Sequence, residues 1–139
     1  EALCFGWIDS TIRIIDGKRM QRFSPRNKKS NWTELNKERV RRLEKLGLMT
    51  DAGRKILPMT EACNFTFDKE IETELKKARV WTKFRRFHPL YQMVRASNLA
   101  FHKKRNTESY KRMLNHMIEE TKNGKMYGEW NDYGRLLEY

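Results

Sequence analysis

Residues 11–23 read TIRIIDGKRMQRF, and this stretch decides the fold of the N-terminal part of the chain. Two runs with strand character flank the dipeptide Asp16-Gly17. Asp-Gly is a strong short-range hairpin signal, because both central positions of the tightest hairpin turn need a positive φ. The pattern therefore predicts an antiparallel pair with strands near residues 11–15 and 18–23.

The run before the hairpin, LCFGWID, is aromatic and apolar, which favours a further strand near residues 3–9. The predicted sheet is thus a β-hairpin or a small meander. Because this apolar run stands at the start of the sequence, we expect an N-terminal segment that is missing here to pack against it.

Local signals predict helices after the sheet. Pro25 ends the sheet region because proline cannot donate to a strand ladder. Asn31 and Glu34 have the spacing of a capping box, which predicts a helix that starts at Asn31. We expect Thr50 or Asp51 to cap a short helix, and we interpret residues 58–67 as a loop.

The second half of the chain has helical periodicity throughout. Asp68 is a candidate N-cap, and His88-Pro89 should end one helix and open the next, with Pro89 in the first turn. Asn106 or Thr107 should cap the clearest helix, and we expect the aromatic C-terminal tail to pack on the helices. The apolar residues of that helix follow i, i+3, i+4, i+7 and i+8: Tyr110, Met113, Leu114, Met117 and Ile118.

Together these signals predict an α+β fold, a small N-terminal antiparallel sheet followed by a bundle of about five helices. We interpret residues 1–139 as one domain. Within it, residues 1–30 form the strands and a basic loop, residues 31–67 a helix and a short helix, and residues 68–139 a C-terminal helical module.

The chain is strongly basic, with 30 Lys and Arg against 18 Asp and Glu and a formal net charge of +12. Such a balance favours anionic partners: nucleic acid, lipid headgroups or phosphorylated small molecules. Solubility alone is the competing interpretation. No apolar run approaches the roughly 20 residues of a membrane span. Cys4 and Cys63 lie far apart in the sequence and form no CxxC motif. Two such cysteines in a basic chain of this size are typical of reduced thiols in a cytoplasmic protein.

The run QRFSPRNKKSNW, residues 21–32, concentrates basic side chains just before the predicted helix. Helix N-termini attract anions through their unpaired N–H groups and the macrodipole. Arg22 and Arg26 could fork onto a phosphate or carboxylate, with Trp32 as a stacking surface. A solvated loop with Trp32 buried is the alternative. The candidate anion-binding residues are Arg22, Arg26, Lys28, Lys29, Ser30, Asn31 and Trp32.

Other clusters favour structural roles. The basic residues of 37–45 are interleaved with acids at ion-pair spacing. His88, His102 and His116 lack the spacing of a metal site, and no nucleophile or nucleotide-binding motif is present. The aromatic residues after position 80 have the spacing of helix packing. We therefore predict no catalytic residue, no metal and no cofactor, and we do not favour nucleic acid as the partner.

Several blocks resemble one protein family. EALCFGWIDS, QRFSPRNKKSNWTELNKERV and GLMTDAG are similar to the central region of the YdeI/OmpD-associated family, also called bacteriocin-protection proteins. The later run from WTKFRRFHPLYQ to ETKNGK resembles that family's C-terminal helical module, so the resemblance covers nearly the whole chain. His88 departs from the pattern, since the family often has a more Pro-rich or apolar junction before Pro89.

The resemblance implies a bacterial α+β protein linked to tolerance of bacteriocins or cationic antimicrobial peptides. It carries over no catalytic residues, because the family offers no agreed set. We therefore expect a non-enzymatic, cytoplasmic binding module for an anionic partner. Two alternatives stay open: an enzyme that holds a phosphorylated or carboxylated metabolite with the same loop, and a non-specific nucleic-acid-binding protein.

Overall fold

The computed structural model describes residues 1–58 and 65–139. Within them the fold is α+β, as predicted: one antiparallel pair of strands is followed by six α-helices. Residues 59–64, which include Cys63 and most of the predicted loop, lie outside the described residues. The described chain forms two compact units. Unit 1 holds residues 1–32, 36–58 and Tyr139, and unit 2 holds residues 33–35 and 65–138. The domain division proposed from sequence stays a prediction.

Unit 1 starts with a 3-10 helix at Ala2–Phe5, followed by strand β1 at Trp7–Ile15. Residues 7–9 and 11–15 are strand as predicted, but they form one strand, and the expected strand at residues 3–6 was wrong. Gly6 ends the 3-10 helix at φ 74°, and a side chain there would overlap Ile56, so no strand passes through this position. The sheet is a hairpin and not a meander.

The predicted hairpin turn is confirmed. Strand β2 spans Lys18–Pro25 and pairs with β1 in antiparallel register, with Ile15 opposite Lys18. Asp16 and Gly17 have φ values of 50° and 73°. Both lie in the left-handed region that this turn requires and that Asp and Gly adopt at the lowest cost.

A β-bulge interrupts the ladder. Asp9 pairs with Phe23 and Ile12 pairs with Gln21, so Ser10 and Thr11 both stand opposite Arg22. The hydroxyl of Ser10 donates to the carbonyl of Arg22 at 3.3 Å. The extra residue shifts the side-chain alternation of β1 by one position, so two isoleucines join the face that carries Trp7.

The bulge sorts the hairpin into two faces, which follow from the pairing and the alternation of side chains. The aromatic face carries Trp7, Asp9, Ile12, Ile14, Arg19, Gln21, Phe23 and Pro25. The basic face carries Ile8, Ser10, Thr11, Arg13, Ile15, Lys18, Met20, Arg22 and Ser24.

Helix α1 spans Glu34–Lys45, three residues later than the predicted start at Asn31. The expected capping box at Asn31 was wrong for a local reason. The side chain of Asn27 accepts from Lys29 N at 2.9 Å, and Ser30 N donates to the carbonyl of Asn27 at 3.0 Å. These bonds close a turn before the helix can begin.

Helix α2, at Asp51–Arg54, completes the helices of unit 1. As predicted, Thr50 is its N-cap, and the Thr50 hydroxyl accepts from Gly53 N at 3.1 Å. Gly47 adopts φ 67° just beyond the end of α1, as expected for a helix terminator.

Unit 2 consists of α3 at Lys69–Lys77, α4 at Trp81–Phe84, α5 at Pro89–Lys103 and α6 at Thr107–Lys122, followed by the tail. The predicted caps Asp68 and Asn106 are confirmed, and His88 caps α5. Each of these side chains accepts from a backbone N–H two or three residues on.

The core of unit 2 is built from the helices and the tail, as the periodicity predicted. The tail contributes Trp130 and Leu136, whereas Tyr133 is 79 % exposed and does not follow the packing expected of the aromatic set. Each fully buried apolar side chain stabilises the unit by about 1.5–3 kcal/mol. Residues at or near zero exposure in this core are Ile71, Leu75, Phe84, Tyr91, Leu99 and Met117.

Candidate functional site

Basic charge is concentrated on the hairpin and the turn that follows it. Between positions 7 and 29 the acids are Asp9 and Asp16. Within the described residues, none of the basic side chains on the strands or at Lys28 and Lys29 forms a salt bridge. The basic residues of this stretch are Arg13, Lys18, Arg19, Arg22, Arg26, Lys28 and Lys29.

On the basic face, Arg13 and Arg22 border a shallow groove of about 310 Å³. Ile15 and Met20, which are 54 % and 51 % exposed, form its apolar floor together with Thr11. The groove therefore combines two guanidinium groups, each able to bind an oxyanion through two donors, with a small apolar surface.

On the aromatic face, three aromatic side chains surround a second depression of about 550 Å³. Phe5, Trp7 and Phe23 are 51 %, 41 % and 50 % exposed. Asp9 and Gln21 also line this depression. Large aromatic residues exposed together on one surface mark interaction sites, since monomeric proteins otherwise bury most of this area.

Arg26, the central candidate in the predicted anion site, packs against Trp32. Its guanidinium carbon lies 4.3 Å from the centre of the indole ring, and Nη1 donates to the carbonyl of Asn31 at 3.4 Å. Burial lowers the pKa of Arg26, and the charge of Asp9 acts in the opposite direction. Part of the guanidinium is thus committed to holding the turn, through a cation–π contact.

The remaining candidates of the turn divide into exposed and engaged side chains. Lys28, Lys29 and Asn31 are exposed. The hydroxyl of Ser30 accepts from Asn27 N at 3.2 Å and donates to the side-chain oxygen of Asn27 at 3.4 Å, so it stabilises the turn. Arg22 is exposed on β2.

The expected meeting of this basic run with a helix N-terminus at Asn31 was wrong. Helix α1 begins at Glu34, whose own carboxylate occupies the first turn and disfavours a bound anion there. The anion-binding role of the seven candidate residues stays a prediction, and it now depends on exposed side chains and not on a helix dipole.

Helix α1 contributes less free charge than its basic residues suggest. Arg41 pairs with Glu38, and Arg54 of α2 binds the carboxylate of Glu44 through two nitrogens, at 2.9 and 3.1 Å. These contacts agree with the interpretation that the interleaved acids neutralise neighbouring basic groups.

The three histidines lie in separate surroundings. His88 Nδ1 accepts from Leu90 N at 3.2 Å and caps α5. The His102 ring lies 5.5 Å from Phe101, and the His116 ring lies 4.5 Å from Tyr127. Within residues 1–58 and 65–139 no cluster of three or more His, Cys, Asp or Glu side chains is placed to hold a metal ion.

In the same described ranges, no helix has both the length and the apolar character needed to cross a bilayer. Cys4 is a buried free thiol within the 3-10 helix.

Comparison with known proteins yields one finding. Residues 1–56 match a family model described as a domain of unknown function, DUF8412. The matched stretch contains the hairpin, the basic turn, α1 and α2. No curated protein and no solved structure matches the chain significantly.

Sequence reasoning missed the aromatic face of the hairpin. A signal was present in β1, where the apolar positions change phase: Trp7 is odd-numbered, whereas Ile12 and Ile14 are even-numbered. A strand that keeps its large apolar residues on one face despite such a phase change needs a bulge between them.

Proposed function

We propose that this protein is a non-enzymatic binding module of the YdeI/OmpD-associated type, that its hairpin and basic turn bind an anionic partner, and that it contributes to tolerance of bacteriocins or cationic antimicrobial peptides. The family part of the proposal rests on the sequence blocks quoted above. The binding part is supported by one observation, the exposed and unpaired basic side chains on the hairpin and turn.

The proposed binding combines electrostatic attraction of an anion to basic side chains with the donor geometry of the arginines. Arg13 and Arg22 can each present two parallel donors to a phosphate or carboxylate, while Lys28 and Lys29 act as point charges on flexible stems. Because the competing acids are Asp9 and Asp16, a polyanion that follows the hairpin meets an excess of positive charge. Binding should weaken as salt rises, since the Debye length falls to about 8 Å at physiological ionic strength.

A link to cationic-peptide tolerance follows from shared chemistry. A basic module and a cationic peptide recognise the same kind of anionic target, so the module can occupy sites that the peptide would otherwise bind. We place the protein in the cytoplasm on the strength of its two widely spaced cysteines.

The test measures binding of heparin and of long-chain polyphosphate to the full chain by isothermal titration calorimetry at two salt concentrations. We expect the triple variant Arg22→Ala, Lys28→Ala, Lys29→Ala to bind both polyanions at least tenfold more weakly than the parent protein.

A matched control removes three exposed lysines of unit 2, Lys104, Lys111 and Lys125, each replaced by Ala. It lowers the net charge by the same amount and should weaken binding by less than threefold. If the two triple variants lose affinity equally, net charge alone drives binding and the assigned surface is wrong. If the parent protein binds neither polyanion, the proposed function is wrong.

A further inference from the structure

We propose that the anionic partner is an anionic lipid surface, and that the hairpin lies on it with the aromatic face buried at the boundary between headgroups and acyl chains. This inference rests on the proposed function and names its partner. It also accounts for the exposed apolar side chains, which electrostatic attraction leaves unexplained.

The aromatic face has the composition of an interfacial membrane element. Trp7 and Phe23 line the depression together with Phe5 of the 3-10 helix. Ile12 and Ile14 extend the same face toward the turn and are 45 % and 78 % exposed. Trp is favoured at membrane interfaces because its ring is apolar and its N–H can reach water or a headgroup.

The bulge places the two isoleucines on the aromatic face and Arg13 on the opposite face. In an unbroken strand, Trp7 and Asp9 would share a face with Arg13, and Ile12 and Ile14 would lie on the other face. Because Ser10 and Thr11 both stand opposite Arg22, Ile12 and Ile14 lie on the face of Trp7. Arg13 lies on the opposite face. The result is an amphipathic ribbon, the strand counterpart of a helix that lies flat in the interface.

The charges complement an anionic surface at both margins of the apolar patch. Arg19, opposite Ile14 near the turn, can extend its guanidinium to the headgroups while its methylenes stay in apolar surroundings. Lys18 stands at the tip, and Lys28 and Lys29 follow the base of β2. Basic groups within a Debye length of such a surface each add about tenfold or less to binding.

Two carboxylates limit how deeply the ribbon can enter. Asp9 and Glu1 border the aromatic depression, and a carboxylate is costly in hydrocarbon. Their presence places the ribbon at headgroup depth and excludes insertion of its base into the acyl region. The Ile12–Ile14 end carries no acid on the aromatic face and can lie deeper.

Lipid fits this face better than nucleic acid does. Bases stack well on Trp and Phe, but aliphatic side chains offer them no comparable surface. Ile14 is the most exposed apolar residue of the hairpin, and its side chain would be buried favourably among acyl chains. Nucleic acid is therefore a distinct outcome of the test.

The experiment measures cosedimentation of the full chain with vesicles of phosphatidylcholine containing 30 % phosphatidylglycerol, and with pure phosphatidylcholine vesicles. We expect binding to the anionic vesicles that the double variant Trp7→Ala, Phe23→Ala weakens roughly tenfold or more. The same variant should bind heparin as the parent protein does, because its basic residues are unchanged.

Two further variants sharpen the result. Tyr133→Ala, which removes a 79 % exposed aromatic residue of unit 2, should leave vesicle binding unchanged. Trp7→Phe should still bind, yet it should lose most of the fluorescence quenching by brominated lipids that marks Trp7 at the interface. The remaining tryptophans, Trp32, Trp81 and Trp130, provide the background signal in both proteins.

The outcomes separate the two proposals. Heparin binding without vesicle binding, or vesicle binding that ignores the Trp7 and Phe23 substitutions, overturns the lipid inference and leaves the anion-binding function standing. Binding of single-stranded DNA that depends on Trp7 and Phe23, without vesicle binding, identifies nucleic acid as the partner. This outcome also overturns the lipid inference. Binding to none of these polyanions overturns both proposals.

Discussion

The hydroxyl of Thr50 donates to the carbonyl of Cys4 at 2.8 Å, and the amide of Thr50 donates to the same carbonyl at 3.1 Å. The Thr50 hydroxyl also accepts from Gly53 N. One residue thus caps α2 and fastens it to the 3-10 helix that precedes the hairpin, so the base of the hairpin depends on a side chain more than 40 positions away.

Replacing Thr50 by Val should destabilise unit 1 by about 1–2 kcal/mol, because both the cap and the hydroxyl bond to Cys4 are lost while the shape is kept. Thr50→Ser retains the hydroxyl and should lose less than half as much. Chemical denaturation followed by circular dichroism measures the difference. Equal losses in the two variants would show that the hydroxyl contributes nothing.

Gly53 packs so closely on Cys4 that a methyl group at this position would overlap the Cys4 carbonyl. Gly53→Ala should therefore cost about 1–3 kcal/mol despite the higher helix propensity of Ala. Gly47→Ala is the control, since open space surrounds Gly47 and only its φ of 67° is unfavourable for Ala. Thermal unfolding should show the larger loss for Gly53→Ala, and a smaller one would contradict this packing.

The Asp68 carboxylate accepts from Lys103 Nζ at 2.6 Å and from the amides of Glu70 and Ile71. The hydrogen bond from Lys103 is the main cause that holds the pKa of Asp68 below its usual value. Because the folded pKa is the lower one, this stabilisation is complete above the unfolded pKa of about 3.9 and is lost as pH falls through the folded value.

Asp68→Asn should consequently reduce the free energy of unfolding by about 0.5–1 kcal/mol at pH 7, with the difference shrinking as pH falls through the folded pKa of Asp68. Urea titrations at several pH values measure it. Glu72→Gln, which removes a more exposed pair with Lys76, serves as the control and should cost less at pH 7. A loss for Asp68→Asn that stays constant down to pH 2 would exclude the ion pair as its source.

Burial raises the pKa of Tyr91 to about 12, and the nearby Tyr127 phenol acts in the same direction. The folded value exceeds the unfolded value of about 10, so the stability linked to this phenol is complete below pH 10 and is lost as pH rises toward 12. Tyr91→Phe should flatten the alkaline decline by up to about 1.4 kcal/mol per pH unit. Unfolding curves at pH 9, 10 and 11 measure this slope, and identical slopes in both proteins would refute the assignment.

Deleting Thr11 should remove the bulge and leave Ser10 alone opposite Arg22. Because Ile12 stays opposite Gln21 and Ile14 opposite Arg19, both isoleucines keep the face of Trp7, and Arg13 keeps the face of Arg22. We therefore expect far-ultraviolet circular dichroism and binding to anionic vesicles close to those of the parent protein, and the same for Thr11→Ala. Loss of vesicle binding in the deletion variant alone would contradict the assignment of the two isoleucines to the aromatic face.

The parts of the fold that the sequence predicted are those set within a few residues. Asp16-Gly17 dictates its own turn, and Asp68 and Asn106 cap helices through bonds that span two or three positions. The predicted start of α1 at Asn31 was wrong because the capping-box spacing does not reveal the turn that Asn27 closes just before it. Helix α1 begins only at Glu34.

The candidate site was less predictable, because exposure and register depend on distant parts of the chain. Arg26 has the charge of an anion ligand, yet its contact with Trp32 forms only when the turn folds. The aromatic face needs the cross-strand pairing of Asp9 with Phe23 and of Ile12 with Gln21, and the change of phase in β1 does not identify these partners on β2.

The two-stranded sheet has a further consequence for the colloidal behaviour of the protein. In the described residues no third strand covers either edge, so the outer backbone groups of β1 and β2 can template pairing with another molecule. Arg13, Arg19 and Arg22 repel a second hairpin at low ionic strength. At about 1 M salt the Debye length shrinks to about 3 Å and this protection fails. Concentrated solutions at high salt should thus favour edge-to-edge aggregation, whereas at low salt the charge of the three arginines keeps the protein in solution.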